Sequence, residues 1–448
     1  TPIATAPPAA AAPTATAAPT APPAPATPVA RQGATLWIVS GYDPNAKLVA
    51  LDAATEKVLV SVPVGVHSQD WTVLYAATQA GGRTTVTAYD LATGQALRST
   101  SFDGDYRLPR AYPGWLNGGL SYDGRTLVLQ EMPSPALAQE YINSGKWVSR
   151  FAVLDTAFKA APKIVELQGN YRYDTMAPDG HALYLIEAQS ANNPALYGVR
   201  AYDLATNALR PGFIVDKSNS GAIMEGYALT QVSGPGGSWV FTLYRNAKTG
   251  PFIHALDAAD GFAICLDLPT AGKENTTAAL DWTLAAGPHN TMIYAVNAAL
   301  GLVAEVDATG PRIVRTATIP AAPASSRGGP LARLGDWLAP AASAKEQAMG
   351  VAAVSPDGRT LYVARADGLV AIDTATLQVR GDKAHGQVSV IRPSTSLLVS
   401  PDGAQLFAVV SDGGGNALLR LDPASGESLG GFSRSLNPAA VVHVAAAR

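Results

Sequence analysis

A short phrase, an apolar residue followed by aspartate, two further residues and often threonine and glycine, returns eight times in this chain. It reads LDAAT (51–55), YDLATG (89–94), LDTAF (154–158), YDLATN (202–207), LDAADG (256–261), VDATG (306–310), IDTAT (372–376) and LDPASG (421–426). Successive aspartates lie between 38 residues (52 to 90) and 66 residues (307 to 373) apart. Recurrence at this spacing makes the folding unit a supersecondary module that buries its apolar face only against its neighbours.

Each module holds three or four short runs rich in β-branched and aromatic residues, separated by turn signals. The stretch 351–380 shows it most clearly, as VAAV, SPDG, RTLYVA, RADG, LVAID, TAT and LQVRG. SPDG has the chemistry of a tight turn. Pro356 presets φ, Asp357 accepts the next position, and Gly358 takes the left-handed conformation that side chains disfavour. The same turn recurs as SYDG (121–124), APDG (177–180), GPGG (234–237) and SPDG (400–403), and as GPHN (287–290) with Asn290 in the glycine place. The repeated aspartate forms a second turn, accepting N–H groups from the residues after it, so these eight carboxylates are structural rather than catalytic. A module is then four antiparallel strands, A to D, with tight A–B and C–D turns.

Strand-rich repeats of this length with Asp and Gly turns predict an all-β, single β-propeller. Residues 31–448 divide into eight units of about 52 residues. The first unit begins directly at a B-type strand, ATLWIVSG (34–41), and lacks an A strand. A spare strand, NPAAVVHVA (437–445), follows the eighth unit, and pairing it with the first would remove the open sheet edge. The second unit is the weak one. It offers only GVHSQDW (65–71) for its innermost strand, with no SPDG-like turn after it, which leaves seven blades as the alternative.

The repeats resemble those of the bacterial YVTN/WD40-like propeller family. SPDGRTLYVA with VAIDTAT (355–376) carries the resemblance, SPDGAQLFAV with LRLDPASG (400–426) nearly so, and IYAVN (293–297) is a degenerate relative. The likeness spans roughly 33–445 and implies a fold rather than an activity. No Gly-His and Trp-Asp pair of the eukaryotic WD40 type occurs. The AYDLATG and ALDAAT segments also look like the repeats of pyrroloquinoline-quinone dehydrogenases, but Arg98 and Val60 stand where the docking tryptophan belongs, which argues against quinoprotein activity.

Composition narrows the function classes. The chain is 47% hydrophobic with a net charge of −3, so it lacks the basic stripe of a nucleic-acid binder. Its one cysteine, Cys265, excludes a disulfide framework and any CxxC site. The six histidines are scattered without ligand spacing, no P-loop, GxSxG or HExxH occurs, and neither a metal nor a cofactor is expected. No apolar run is long enough to span a membrane. Residues 1–32 are almost purely Ala, Pro and Thr, and are expected to be a disordered stalk or linker that tethers a secreted or surface protein.

Alternating strands put the A–B and C–D turns on one face and the B–C and D–A connections on the other. The turn face is stereotyped, while nearly every long connection falls on the second face, where binding residues concentrate. Residues 131–147 predict a B–C insertion with a helix from Pro135 to Asn143, and 321–350 a second helix with Leu331, Leu334, Leu338 and Trp337 on one stripe. Aromatic and charged residues gather in segments assigned to D–A connections: HSQDW (67–71), DYRLPRAYPGW (105–115), NYRYD (170–174), the segment with Glu225, and the stretch with His385 and Arg392. The expected ligand-binding set is Asp70, Tyr106, Arg107, Arg110, Tyr112, Trp115, Tyr171, Arg172, Tyr173, Asp174, Glu225 and Arg392. Such a set suits a protein or carbohydrate partner on the loop-rich face. The alternative is a lactonase-like hydrolase or lyase acting on a small polar ligand in the central funnel, with His67, Arg107, Arg172, Glu225 and His385 as its residues. A structural component of a surface layer or filament is a third possibility.

Overall fold

The computed structural model describes residues 33–446 apart from 43–44, 112–115, 191–192, 194, 215–222, 247, 273–275, 321–350, 366–367, 381–393 and 412–414. The expected stalk and the second insertion helix lie outside these residues. Eight antiparallel sheets follow one another along the chain and close into a propeller. Blade 1 is Ala34–Ser40, Lys47–Asp52 and Val58–Pro63, completed by Pro438–Ala446. Blades 2, 3 and 4 open at Val66–His67, Tyr106–Arg107 and Tyr171–Met176, and blades 5, 6, 7 and 8 at Tyr227–Ser233, Trp282–Ala286, Val351–Val354 and Ser394–Val399. The closing strand runs antiparallel to the chain's first strand, from Ala34 opposite Ala446 to Ser40 opposite Pro438. Eight blades, not seven, are present.

Burial explains which strand goes where. Middle strands such as ALYLIEA (182–188) and LVAEVD (302–307) are buried along nearly their whole length because a neighbouring blade covers each sheet face. Fourth strands such as RIVRTAT (312–318) alternate exposed and half-buried residues, as the outer edge requires. First strands of blades 5 to 8 and the closing strand of blade 1 touch one another in sequence along the inner wall. The insertion after blade 3's second strand contains the expected helix, observed as Pro135–Ser144 with Ser134 as its N-cap. Among the described residues no helix is long and apolar enough to cross a membrane.

All eight repeated aspartates fold their own turns. Each carboxylate accepts N–H bonds from the residues two or three positions on, as Asp203 does from Ala205 (3.0 Å) and Thr206 (2.9 Å). Asp52, Asp90, Asp155, Asp257, Asp307, Asp373 and Asp422 repeat the arrangement. The residue just after the aspartate does a second job. Its N–H bonds to a carbonyl in or beside the A–B turn of its own blade at Leu91, Thr156, Leu204, Ala258, Ala308 and Thr374, and in blade 1, whose A strand is the closing one, Ala53 bonds to Ala34 at the start of the second strand. The eighth turn has Pro423 there, which has no N–H to give. Its carbonyl accepts a side chain from the preceding blade: Arg98 reaches Thr156 (2.8 Å), Tyr184 reaches Ala258 (3.0 Å), Arg315 reaches Thr374 (2.8 Å) and Arg420 reaches Ala53 (2.9 Å). Lys163 does the same to Leu204.

One turn departs from expectation. HSQDW is not a D–A connection: Ser68–Trp71 is the A–B turn of blade 2, with the bonding pattern of SPDG. Ser68 Oγ donates to Asp70 (2.6 Å) as Ser355 does to Asp357 (2.6 Å), and Trp71 takes the glycine position at φ +54°. A bulky residue at positive φ costs on the order of 1–3 kcal/mol. The indole is stacked on both faces, by His67 at 3.9 Å and His443 at 4.2 Å between ring centres, and each such contact returns about 0.5–1.5 kcal/mol.

Replacing Asp307 tests the turn argument. Its carboxylate takes bonds from Thr309 N (2.9 Å) and Oγ1 (2.7 Å) and an ion pair from Arg312 (2.7 Å). Asp307→Ala is expected to cost about 1–2 kcal/mol in urea unfolding, and Asp307→Asn less. The turn bonds hold this carboxyl below its usual 3.8, so the stabilisation is present above that pH and is lost as the pH falls through the lowered value.

Candidate functional site

The two Tyr-Arg pairs divide their labour. Tyr106 and Tyr171 are buried wedges at the start of blades 3 and 4. Each donates its backbone N–H to a hydroxyl on the third strand of the blade before it, Thr84 (2.9 Å) and Ser149 (2.9 Å) respectively. Those hydroxyls donate in turn to the carbonyls of Gly104 (2.7 Å) and Gly169 (2.8 Å). Only glycine fits at either point, since a Cβ would lie 2.4 Å and 2.6 Å from the tyrosine rings. Arg107 and Arg172 follow at exposed positions, Arg107 only 3.6 Å from Asp105. Arg110 is exposed and pairs across a short bridge with Asn117.

The remaining expected residues scatter. Asp70 sits on the turn face, with its carboxylate held by Ser68 and Thr72, so it is removed from the loop-rich face. His67 belongs to the same turn region, stacked on Trp71. Glu225 lies in a short strand, Met224–Glu225, pairing with blade 4's third strand, and is neutralised by Lys248 at 2.8 Å, which lowers its pKa. That is the outer part of the blade, not the funnel. Tyr112, Trp115, His385 and Arg392 lie outside the described residues. Trp282, at the start of blade 6, is fully buried.

What the inner wall does bring together is Tyr173, Asp174 and Gln231. Asp174 is a bulged residue, skipped where Tyr173 pairs Leu185 and Thr175 pairs Tyr184. A bulge re-aims a side chain out of the alternating ladder. Asp174 lies three residues before its A–B turn, and Gln231 holds the same place in blade 5. Gly65, Gly118, Leu284, Ala352 and Leu397 hold it in blades 2, 3, 6, 7 and 8. A polar pair therefore replaces small or apolar residues at the seam between blades 4 and 5. Asp174 is only 9% exposed, and among the described residues its one hydrogen bond is a long 3.4 Å contact from Gln231, whose amide also donates to Thr242 (3.0 Å). Burial raises its pKa to about 6, against the opposing pull of Gln231 and of Arg172 two residues away. Burial also pushes the Tyr173 phenol far up. A carboxyl that changes charge near neutrality in an under-bonded site can hold or move a proton.

Gln231 and Thr242 escaped the sequence reasoning. The signal was present, as a glutamine three residues before GPGG where other repeats have glycine, alanine or leucine. A shallow depression of about 520 Å³ on the turn face is lined by Asp123, Arg125, Asp155, Lys163 and Asp179 among others. Asp123, Asp155 and Asp179 already accept backbone bonds inside their turns. Among the described residues no group of three or more His, Cys, Asp or Glu is placed to hold a metal ion.

The fold defines a closed eight-bladed β-propeller. Its backbone is similar to the dihydro-heme d1 dehydrogenase NirN, at 13% identity over 89% of this chain and 72% of that one, with a TM-score of 0.51. It is also similar to apo AztD from Citrobacter koseri, at 14% identity over 90% and 95% of the two chains with a TM-score of 0.49. The periplasmic gluconolactonase PpgL of Pseudomonas aeruginosa shares 15% identity over 90% and 95%, with a TM-score of 0.41. At such identities the likeness is one of scaffold alone. No family model matches the chain, and no curated protein sequence matches it.

The buried Asp174 carboxylate, with its long bond from Gln231, carries a testable consequence for stability. Asp174→Leu, the residue found at this place in blades 6 and 8, is expected to raise stability at pH 7 by about 1–3 kcal/mol. Because the folded pKa is raised above 3.8, wild-type stability should fall as pH rises from about 4 to 6, relative to Asp174→Asn, by on the order of 3 kcal/mol in total. Urea unfolding of the three proteins across that range checks both.

Proposed function

We propose that this propeller binds a small polar ligand at the inner wall between blades 4 and 5 and acts on it by acid–base chemistry, as a hydrolase or lyase. The buried, under-bonded Asp174 carries the proposal. At neutral pH it is mostly ionised yet close to its pKa, which suits a group that takes a proton from a ligand hydroxyl or from water and returns it. Gln231 fixes the carboxylate laterally, and Arg172, nearer the loop-rich mouth, supplies a cation for an anionic or carbonyl group on the ligand. The PDG-turn repeats support kinship with YVTN-type propellers, and the Ala/Pro/Thr composition of residues 1–32 supports a tethered, extracytoplasmic placement.

A macromolecular partner is the second reading. It is favoured by exposed Tyr42, Met132, Ile142, Ile223 and Tyr227, all of which fall in or beside B–C and D–A connections. Tyr and Met at an exposed rim are typical of contact surfaces.

A panel of sugar lactones and small hydroxy acids separates the two. Turnover of a panel member, or a ligand-induced rise in melting temperature, is expected for the wild type. Asp174→Asn should lower kcat/KM by roughly 10²- to 10⁴-fold while remaining folded. If no compound is turned over or raises the melting temperature, or if Asp174→Asn behaves as wild type, the small-ligand reading fails.

A further inference from the structure

His67, Trp71 and His443 form a three-ring stack that no ligand-binding argument uses. The interplanar angles are 19° and 10°, so the rings lie nearly parallel, and Trp37 leans on Trp71 at 5.9 Å. The stack joins parts of the chain that are distant in sequence. His443 belongs to the closing strand Pro438–Ala446, opposite Trp37, while His67 and Trp71 belong to the first strand and turn of blade 2. It is therefore a side-chain rivet between the blade that closes the ring and the next one. Trp71 stands at positive φ where other blades place glycine or asparagine, so the turn holds a bulky strained residue at this seam; the blade 6 turn also has non-glycine residues there, His289 at +58° and Asn290 at +55°.

We infer that the stack is an acid-sensitive latch on ring closure: protonation of either imidazole loosens the closing strand from blade 2. Among the described residues the stack packs against a mainly apolar cluster, which gives an added charge little solvation. On the blade 1 side the neighbours are Trp37, Leu48, Ala50, Val60, Val62 and Val442. On the blade 2 side they are Leu74, Leu91 and the phenol-bearing Tyr89, with Leu116 beyond. Asp70, in the same turn, spends its carboxylate on Ser68 and Thr72. His67 Nδ1 lies 2.9 Å from the Ser68 carbonyl, which fixes a proton there and leaves the ring neutral with Nε2 free to accept one. An imidazolium over an indole gains a cation–π attraction. Desolvation outweighs it here: burial lowers the pKa of both rings, and His443, which also feels the charge of His67 across the indole, falls to about 4.

The direction follows from these shifts. Groups whose folded pKa lies below the unfolded 6.5 contribute stability above that pH and lose it as the pH falls toward 4. The turn aspartates hold until lower pH, because Asp52, Asp203, Asp307 and Asp373 are shifted below 3.8. The seam should open before the rest of the ring.

Amide hydrogen exchange on the full chain tests this. Between pH 7.5 and pH 5 the protection factors of the closing strand should fall roughly thirtyfold, the ratio that a shift from 6.5 to about 4 gives, while those of Trp282–Ala286 in blade 6 stay unchanged. The double variant His67→Phe/His443→Phe keeps rings on both faces without a titrating nitrogen, and its closing strand should show no acid loss. Unchanged protection in the wild type, equal loss in blades 1 and 6, or the same loss in the double variant would each overturn the latch. Should the variant fail to fold, NMR titration of the wild-type His443 ring decides: a midpoint well below 6.5 is expected, and one near 6.5 refutes the inference.

Discussion

The ring rests on one residue per blade, the one just after the repeated aspartate. In seven blades its N–H is bound within its own blade and, at five seams, its carbonyl is held by a side chain of the blade before. The aspartate fixes the bend that presents it. A sheet buried on both faces still has to satisfy the polar groups at its corners. Here the same bond satisfies the corner and sets the blade-to-blade register. Removing the aspartate disturbs a turn and a seam together, which explains why the phrase recurs while the side chains reaching it vary among Arg, Lys and Tyr.

That division of labour determines what the sequence reveals. Turn chemistry is local, so six SPDG-type and eight aspartate phrases marked the hairpin bends, and the missing first strand of blade 1 with the spare strand at 437–445 marked the closure. Blade 2 was obscured because Trp71 occupies a glycine's place, a substitution supported by His67 and by His443, whose approach no local pattern discloses. Placing HSQDW among the loops followed from that, and with it the misplacement of Asp70 and His67.

The candidate site was half legible. Asp174 was singled out as part of an aromatic and charged cluster, yet what distinguishes it is the apolar company its equivalents keep in other blades. Its partner Gln231 lies 57 residues away in sequence and meets it only because adjacent first strands share the inner wall. Glu225 shows the opposite failure. It lies in the right connection, but a short strand carries it to the outer part of blade 4, where Lys248 neutralises it.

Closure by the last strand has a consequence for how the molecule comes into being. Blade 1 lacks its inner strand until Pro438–Ala446 has been made, so a nascent chain carries an open sheet edge until that strand emerges. Its pairing with Ala34–Ser40 closes the ring, and the same strand brings His443 onto Trp71 of blade 2. The imidazole–indole sandwich is therefore completed only by the strand that closes the ring.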